Sequence, residues 1–236
     1  MFYDDNVLFV HVSKTGGTSI EELFQKNSIP HKDVIDLHDT LFVAKRKLSE
    51  KIFNTRFKFG FVRNPFDREL SNWFWHTRGN CNYDIDFDRW VKWRYSENEE
   101  ENPGVTYDFM GGQNDYFYQK GFARNPQLGF FLDAENYFLS NFIGRMETFQ
   151  EDWEFVAKKF GYPTTLPHEY ESRNRKKDYR PYYTTELIDI ISKYHRWDLE
   201  VFNYDFENGM LSKEIDVEKA KKFAFRVTDN YNYFYG

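Results

Sequence analysis

The sequence predicts an α/β fold with a mainly parallel sheet flanked by helices. Three observations carry that prediction. Val7–Val12 and Phe57–Val62 are short, apolar runs of the kind buried on both faces of a parallel sheet. Each runs straight into a turn followed by a helix-starting pattern. Apolar stripes at helical spacing follow the strands, as at Ile20, Leu23 and Phe24 and again at Phe149, Trp153, Val156 and Phe160.

The chain has 236 residues, enough for one domain, or one with a subdomain, and for a sizeable core. Aromatic residues make up 21 %, which argues against disorder and suits aromatic-lined clefts. The net charge of −6 excludes a general attraction to nucleic acid or membrane, so any polyanion must be held by a local basic cluster. The single cysteine, Cys81, forms no intramolecular disulfide, and a reducing compartment follows most simply. No signal peptide and no apolar run of membrane-spanning length is visible. No Cys/His cluster with metal-ligand spacing is present, so no metal is expected.

Val7–Phe24 organises the rest. The strand leads into a loop, Ser13 to Gly17, whose adjacent glycines permit a sharp turn and a close approach to a ligand. Thr18 with Glu21 has capping-box spacing, which predicts a helix starting at Thr18. Its N-terminus offers N–H groups to an anion, with Lys14, Thr15, Thr18 and Ser19 around it. The loop is no Walker A box, because its lysine precedes the glycines. Strand–Gly–Gly–helix turns also occur in α/β folds without a ligand.

The order Lys14-Thr15-Gly16-Gly17-Thr18 resembles the 5′-phosphosulfate loop of sulfotransferases that use 3′-phosphoadenosine-5′-phosphosulfate (PAPS). The likeness extends over His11 to Thr18 and is to the Golgi carbohydrate sulfotransferases, among them the heparan sulfate 6-O- and 2-O- and the chondroitin sulfotransferases. It implies a P-loop-like three-layer sandwich with a central, mainly parallel sheet flanked by helices. It also implies one sulfotransferase domain over 1–236, with Lys14, Thr15, Gly16, Gly17, Thr18 and Ser19 holding the donor's 5′ end. Those Golgi enzymes carry a membrane anchor. A cytoplasmic location is expected of this chain as it stands, or the Golgi lumen if it is trimmed from a longer protein.

Along the chain, Asp33–Leu37 reads as a second strand, ending at His38-Asp39-Thr40, with a helix from Leu41 to about Glu50. A lone histidine beyond a strand end is most often a surface or hydrogen-bonded residue. The resemblance assigns His38 the part of general base, since a His-x-Thr segment holds it in the family. After Phe57–Val62, Asn64 is a good N-cap and Pro65 a good first helical residue. The run from Phe61 to Ser71 resembles the family's 3′-phosphate segment, which implies that Arg63 and Ser71 grip that phosphate. Arg68 reads as a helix-surface ion-pair partner.

A further helix is expected from Asp84 to Tyr95 and a solvated acidic loop from Glu97 to Gly104. Tyr107–Phe122 would line an acceptor cleft or simply pack aromatics under a loop. Region 81–135 matches no family pattern and is the candidate acceptor-binding insertion. Asn141–Glu147 reads as a strand, and Thr148 with Glu151 as a second capping box before a helix ended by Gly161. Glu147 has both a cleft reading and a structural one. Five basic residues lie between positions 173 and 180, a local reversal in an acidic chain. The family's nucleotide-covering loop implies Ser172, Arg173 and Arg175 as donor contacts. A helix opens at Tyr182–Leu187, and Asp198–Phe206 reads as structural closure.

The function expected is transfer of the sulfuryl group of PAPS to a hydroxyl of a glycan-type acceptor, leaving PAP. His38 would take the proton, and Lys14 would steady the departing charge. Two alternatives stand beside it: a P-loop-type kinase using ATP, and a non-catalytic nucleotide- or glycan-binding module.

Overall fold

The structure is a computed structural model and describes residues 1–34, 38–78, 85–95, 126–167 and 176–223. In chain order its elements are β1 (Phe2–Tyr3), β2 (Val7–Val10), α1 (Gly17–Lys26), β3 (Lys32–Asp33), α2 (Leu41–Lys47), α3 (Glu50–Thr55), β4 (Phe57–Val62), α4 (Pro65–Arg78), α5 (Phe87–Tyr95), β5 (Phe142–Arg145), α6 (Phe149–Phe160), α7 (Thr185–Tyr194), α8 (Arg196–Val201), β6 (Tyr204–Asp205), β7 (Gly209–Met210) and α9 (Val217–Ala220). They divide into two compact units. One is drawn from Met1–Arg63, Gln127–Glu169 and Lys213–Gly236, the other from Asn64–Pro126 and Tyr170–Ser212.

The first unit holds a five-stranded sheet in the order β3-β1-β2-β4-β5. β2, β4 and β5 are parallel neighbours, in a register that sets Val10 beside Gly60 and Val62 beside Arg145. β1 runs against both β2 and β3, so it alone opposes the common direction. The strand period of two sends Phe9, Phe59 and Phe61 to one face. There they bury Ile20, Leu23 and Phe24 of α1 and Trp153, Val156 and Ala157 of α6. On the other face Lys58 donates to the Phe53 carbonyl at 3.0 Å, covering the end of α3, and Gly60 faces Phe131. The sheet is therefore a middle layer between helices, as expected.

The second unit packs Phe66, Leu70, Trp73 and Phe74 of α4 against Phe87, Trp90 and Val91 of α5 and Leu187 and Ile191 of α7. Asn64 caps α4 through its carboxamide oxygen, which accepts from the Phe66 N–H at 3.0 Å. Its amide nitrogen donates to the Asp205 carbonyl at 2.9 Å, fastening the β6–β7 hairpin. Arg68 is buried rather than on the helix surface. It shares its surroundings with Glu69, Arg94, Tyr95 and Asp198, because the face of α4 that carries Arg68, Glu69 and Asn72 is buried as well. Burial pulls its guanidinium below the usual value, and the Asp198 carboxylate offsets part of that.

Several boundaries differ from the sequence expectation for identifiable reasons. β2 ends at Val10, since the chain turns into the loop after it. Of the second strand expected over Asp33–Leu37, only Asp33 pairs, in the two-residue edge strand β3, Val34 lies beyond it, and Ile35–Leu37 lie outside the described residues. The single helix expected from Leu41 is split, because Ser49 starts α3 by accepting from the Ile52 N–H. Neither capping box forms. Gly16 caps α1, and Glu21 bonds elsewhere. Thr148 donates to Asp152 at 2.8 Å and does not bond back to the backbone. Gly161 does end α6 in the left-handed region, at φ 77°.

Gly60 sits where strand, loop and core meet. A Cβ there would lie 2.8 Å from a Phe131 ring carbon and 2.9 Å from the Val10 carbonyl oxygen. Gly60→Ala is expected to cost roughly 1–3 kcal/mol and to lower the melting temperature by several degrees, read by thermal denaturation.

Candidate active site

Parallel strands deliver their following loops to one edge of a sheet, the edge where open α/β folds gather ligands. Here the loop after β2 carries Lys14, and Arg63 stands immediately after β4. The loop between β2 and α1 is held tightly. Lys14 adopts φ 64° and Gly16 φ 79°, both left-handed. Such a conformation is costly for lysine, by about 1–2 kcal/mol, and persists because its surroundings impose it. The Thr15 hydroxyl donates to the Val12 carbonyl at 2.8 Å, which pins the turn from inside. Gly16 must also be small, since a Cβ would lie 2.7 Å from the Phe149 ring and 3.0 Å from the Met146 sulfur. Gly17 is the first residue of α1, Thr18 is exposed, and Ser19 is buried with its N–H donating to the Gly16 carbonyl at 3.1 Å.

Arg63 reaches this loop. Its guanidinium Nη1 donates to the Lys14 carbonyl at 3.4 Å. The two segments expected to hold opposite ends of one nucleotide therefore touch. Gln127 brackets the Arg63 backbone, accepting from its N–H at 2.9 Å and donating to its carbonyl at 2.8 Å.

His38 lies on the same side of the unit, buried at 8 % exposure. Its Nδ1 bonds the His11 carbonyl at 2.8 Å. A carbonyl only accepts, so Nδ1 carries the proton and the neutral ring keeps its lone pair on Nε2. The two histidine rings meet edge to face, with centroids 4.7 Å apart. His11 in turn bonds Glu21 through Nδ1 at 2.8 Å. Next to His38, the buried Asp39 accepts from Lys47 at 3.2 Å, and Thr40 caps α2 by accepting from the Val43 N–H.

The structure thus brings together Lys14, Thr15, Gly16, Gly17, Ser19, Arg63 and His38 within the first unit. Ser71 is buried on α4 in the second unit. Glu147 is exposed on the 3-10 turn Met146–Thr148. Ser172, Arg173 and Arg175, like Cys81 and Tyr107–Phe122, lie outside the described residues. Among the described residues no group of three or more His, Cys, Asp or Glu side chains is placed to hold a metal ion. Among them, too, no helix is long and apolar enough to cross a membrane.

The sequence profile described as "Sulfotransferase family" matches residues 1–205. The chain belongs to the sulfotransferase family. No curated protein matches it, and no solved structure does. The matched span covers all of β1 to β6, so the sheet, both strand-end loops and His38 of this sulfotransferase fall inside it. Its chemistry is movement of a sulfuryl group from a sulfate donor to an acceptor.

Two parts of the sulfotransferase's site were not readable beforehand. Glu21 looks like a capping residue and instead holds His11, ten positions away. Gln127 stands in a region with no recognisable pattern, 64 positions from its partner. The one sequence signal for the first was the tight Gly17, which makes room for the His11 ring. A Cβ on Gly17 would lie 2.1 Å from His11 Cδ2. Gly17→Ala must displace that ring and is expected to destabilise the protein by about 1–3 kcal/mol. The shift should appear in thermal melting, with the His11 and His38 imidazole resonances moving together in NMR spectra.

Proposed function

We propose that this sulfotransferase takes its sulfuryl group from PAPS and passes it to a hydroxyl of a carbohydrate-type acceptor, with His38 as general base. The observation that carries the reading is the contact of Arg63 with the Lys14 loop at 3.4 Å. It sets two cationic residues and a helix N-terminus in one place. A donor with phosphates at both ends of an adenosine requires that chemistry, and the left-handed Lys14 and Gly16 fit a backbone shaped around an anion.

PAPS, when bound, supplies an activated sulfuryl group on a phosphate leaving group. Lys14, Thr15, Gly16, Gly17, Thr18 and Ser19 would hold the phosphosulfate end through backbone N–H groups, hydroxyls and the lysine charge. Lys14 would also stabilise charge gathering on the departing oxygen. Arg63 offers a planar, bidentate fork to the 3′-phosphate, and Ser71 a hydroxyl donor. The resemblance would add Ser172, Arg173 and Arg175 to the donor contacts. His38 accepts the acceptor's hydroxyl proton at Nε2, because Nδ1 is engaged with the His11 carbonyl. Region 81–135 is the segment assigned to the acceptor within a single sulfotransferase domain.

PAP should raise the melting temperature well above the shift given by ADP. Equal shifts would favour an ATP-using enzyme instead. His38→Ala should lower transfer by about 10²–10⁴-fold while PAP binding stays near the wild-type value. Activity retained in that variant removes His38 as the base. Lys14→Ala should cut turnover and PAP affinity together. An acceptor screen with ³⁵S-labelled PAPS and the wild-type chain tests the carbohydrate assignment, and transfer only to non-carbohydrate hydroxyls would overturn it.

A further inference from the structure

We infer that Gln127 is a positioning residue for Arg63 and, through it, for the donor's 3′-phosphate. The inference rests on the proposed role of Arg63. The paired ladder between β4 and β5 ends at Val62 beside Arg145. One residue on, Arg63 has a backbone N–H and carbonyl that still need partners where the sheet stops. The carboxamide of Gln127 meets both, accepting at 2.9 Å and donating at 2.8 Å. It prolongs the ladder by one residue with a side chain in place of a strand.

The chemistry requires a carboxamide and allows it one orientation. A backbone N–H only donates and a carbonyl only accepts, so the oxygen and nitrogen of the amide are assigned by their partners. An ionised carboxylate of the same size satisfies the first bond and repels the second partner. The mount is rigid: Gln127 is fully buried and opens the 3-10 turn Gln127–Phe130, and the next residue, Phe131, packs against Gly60 of β4. Holding the Arg63 backbone fixes the direction in which its side chain leaves the sheet, with Nη1 at the Lys14 carbonyl. A guanidinium held in place before the donor arrives loses less freedom on binding. Gln127 therefore contributes to donor affinity without touching the donor.

A double-mutant cycle on the full chain tests this, with PAP affinity measured by calorimetry. Gln127→Ala and Gln127→Glu should each weaken PAP about tenfold in the wild-type background. In an Arg63→Ala background neither should weaken it further. Gln127→Glu keeps the side chain's size, so the cycle can be read from it if the alanine variant does not fold. Its loss relative to wild type should also shrink as pH falls, because the introduced carboxyl, once protonated, donates again. A PAP affinity untouched by both Gln127 variants overturns the inference. So does a loss of equal size with and without Arg63, which marks a purely structural residue. A wild-type chain that fails to bind PAP overturns the donor reading and this inference together, whereas uncoupled variants of a PAP-binding chain overturn this inference alone.

Discussion

The parallel pairing of β2 with β4 is the constraint on which the site depends. The register places Val10 beside Gly60. From that rung Lys14 is four residues on and Arg63 three, and both chains leave the sheet at the same edge. Antiparallel pairing would send the two loops to opposite ends. A slip of one residue would turn Phe59 and Phe61 away from α1 and α6 and expose the core. The burial of that aromatic face therefore secures the distance between the two cationic residues. Folding energy and ligand geometry share one set of contacts.

Small residues and hydrogen bonds then refine what the sheet delivers. Gly16 and Gly17 are adjacent and serve different ends. Gly16 takes a left-handed conformation against Phe149, while Gly17 leaves space for the His11 ring. His11 is the hinge of the arrangement. Its backbone carbonyl orients His38, and its ring is held by Glu21. The tautomer of the neutral His38 ring is thus set by a backbone carbonyl, which cannot titrate.

The second unit solves a different problem. Glu69 and Arg94 form a buried ion pair at 2.8 Å, and Glu69 also accepts from Trp90 at 2.8 Å and Tyr95 at 2.9 Å. Tyr95 in turn bonds His195 at 2.8 Å, and burial holds its phenol well above the ordinary range. Such a network is strong only when complete, since removing one partner strands a buried charge at about 3–5 kcal/mol. It links α4 and α5 to His195, the residue between α7 and α8.

Local pattern was enough to read β4, the Asn64-Pro65 start of α4, the Gly161 end of α6 and the Lys14-to-Thr18 loop, because backbone propensity and side-chain period act over a few residues. The resemblance to the sulfotransferases, and not local pattern, singled out His38 and Arg63 as candidates. What local pattern misjudged were side chains with two possible partners. Glu21 suits a cap as well as a histidine, and Arg68 suits solvent as well as a buried carboxylate. The sequence by itself determined the α/β class, the strand–loop–helix order around Lys14 and Arg63, and the residue types at hand. Only the tertiary structure decided that Arg63 meets the Lys14 loop, that His38 donates through Nδ1, and that Gln127 closes the ladder beyond Val62. Those outcomes join positions 27 to 64 residues apart, and contacts over such separations are chosen by the whole packed sheet and not by any window of the chain.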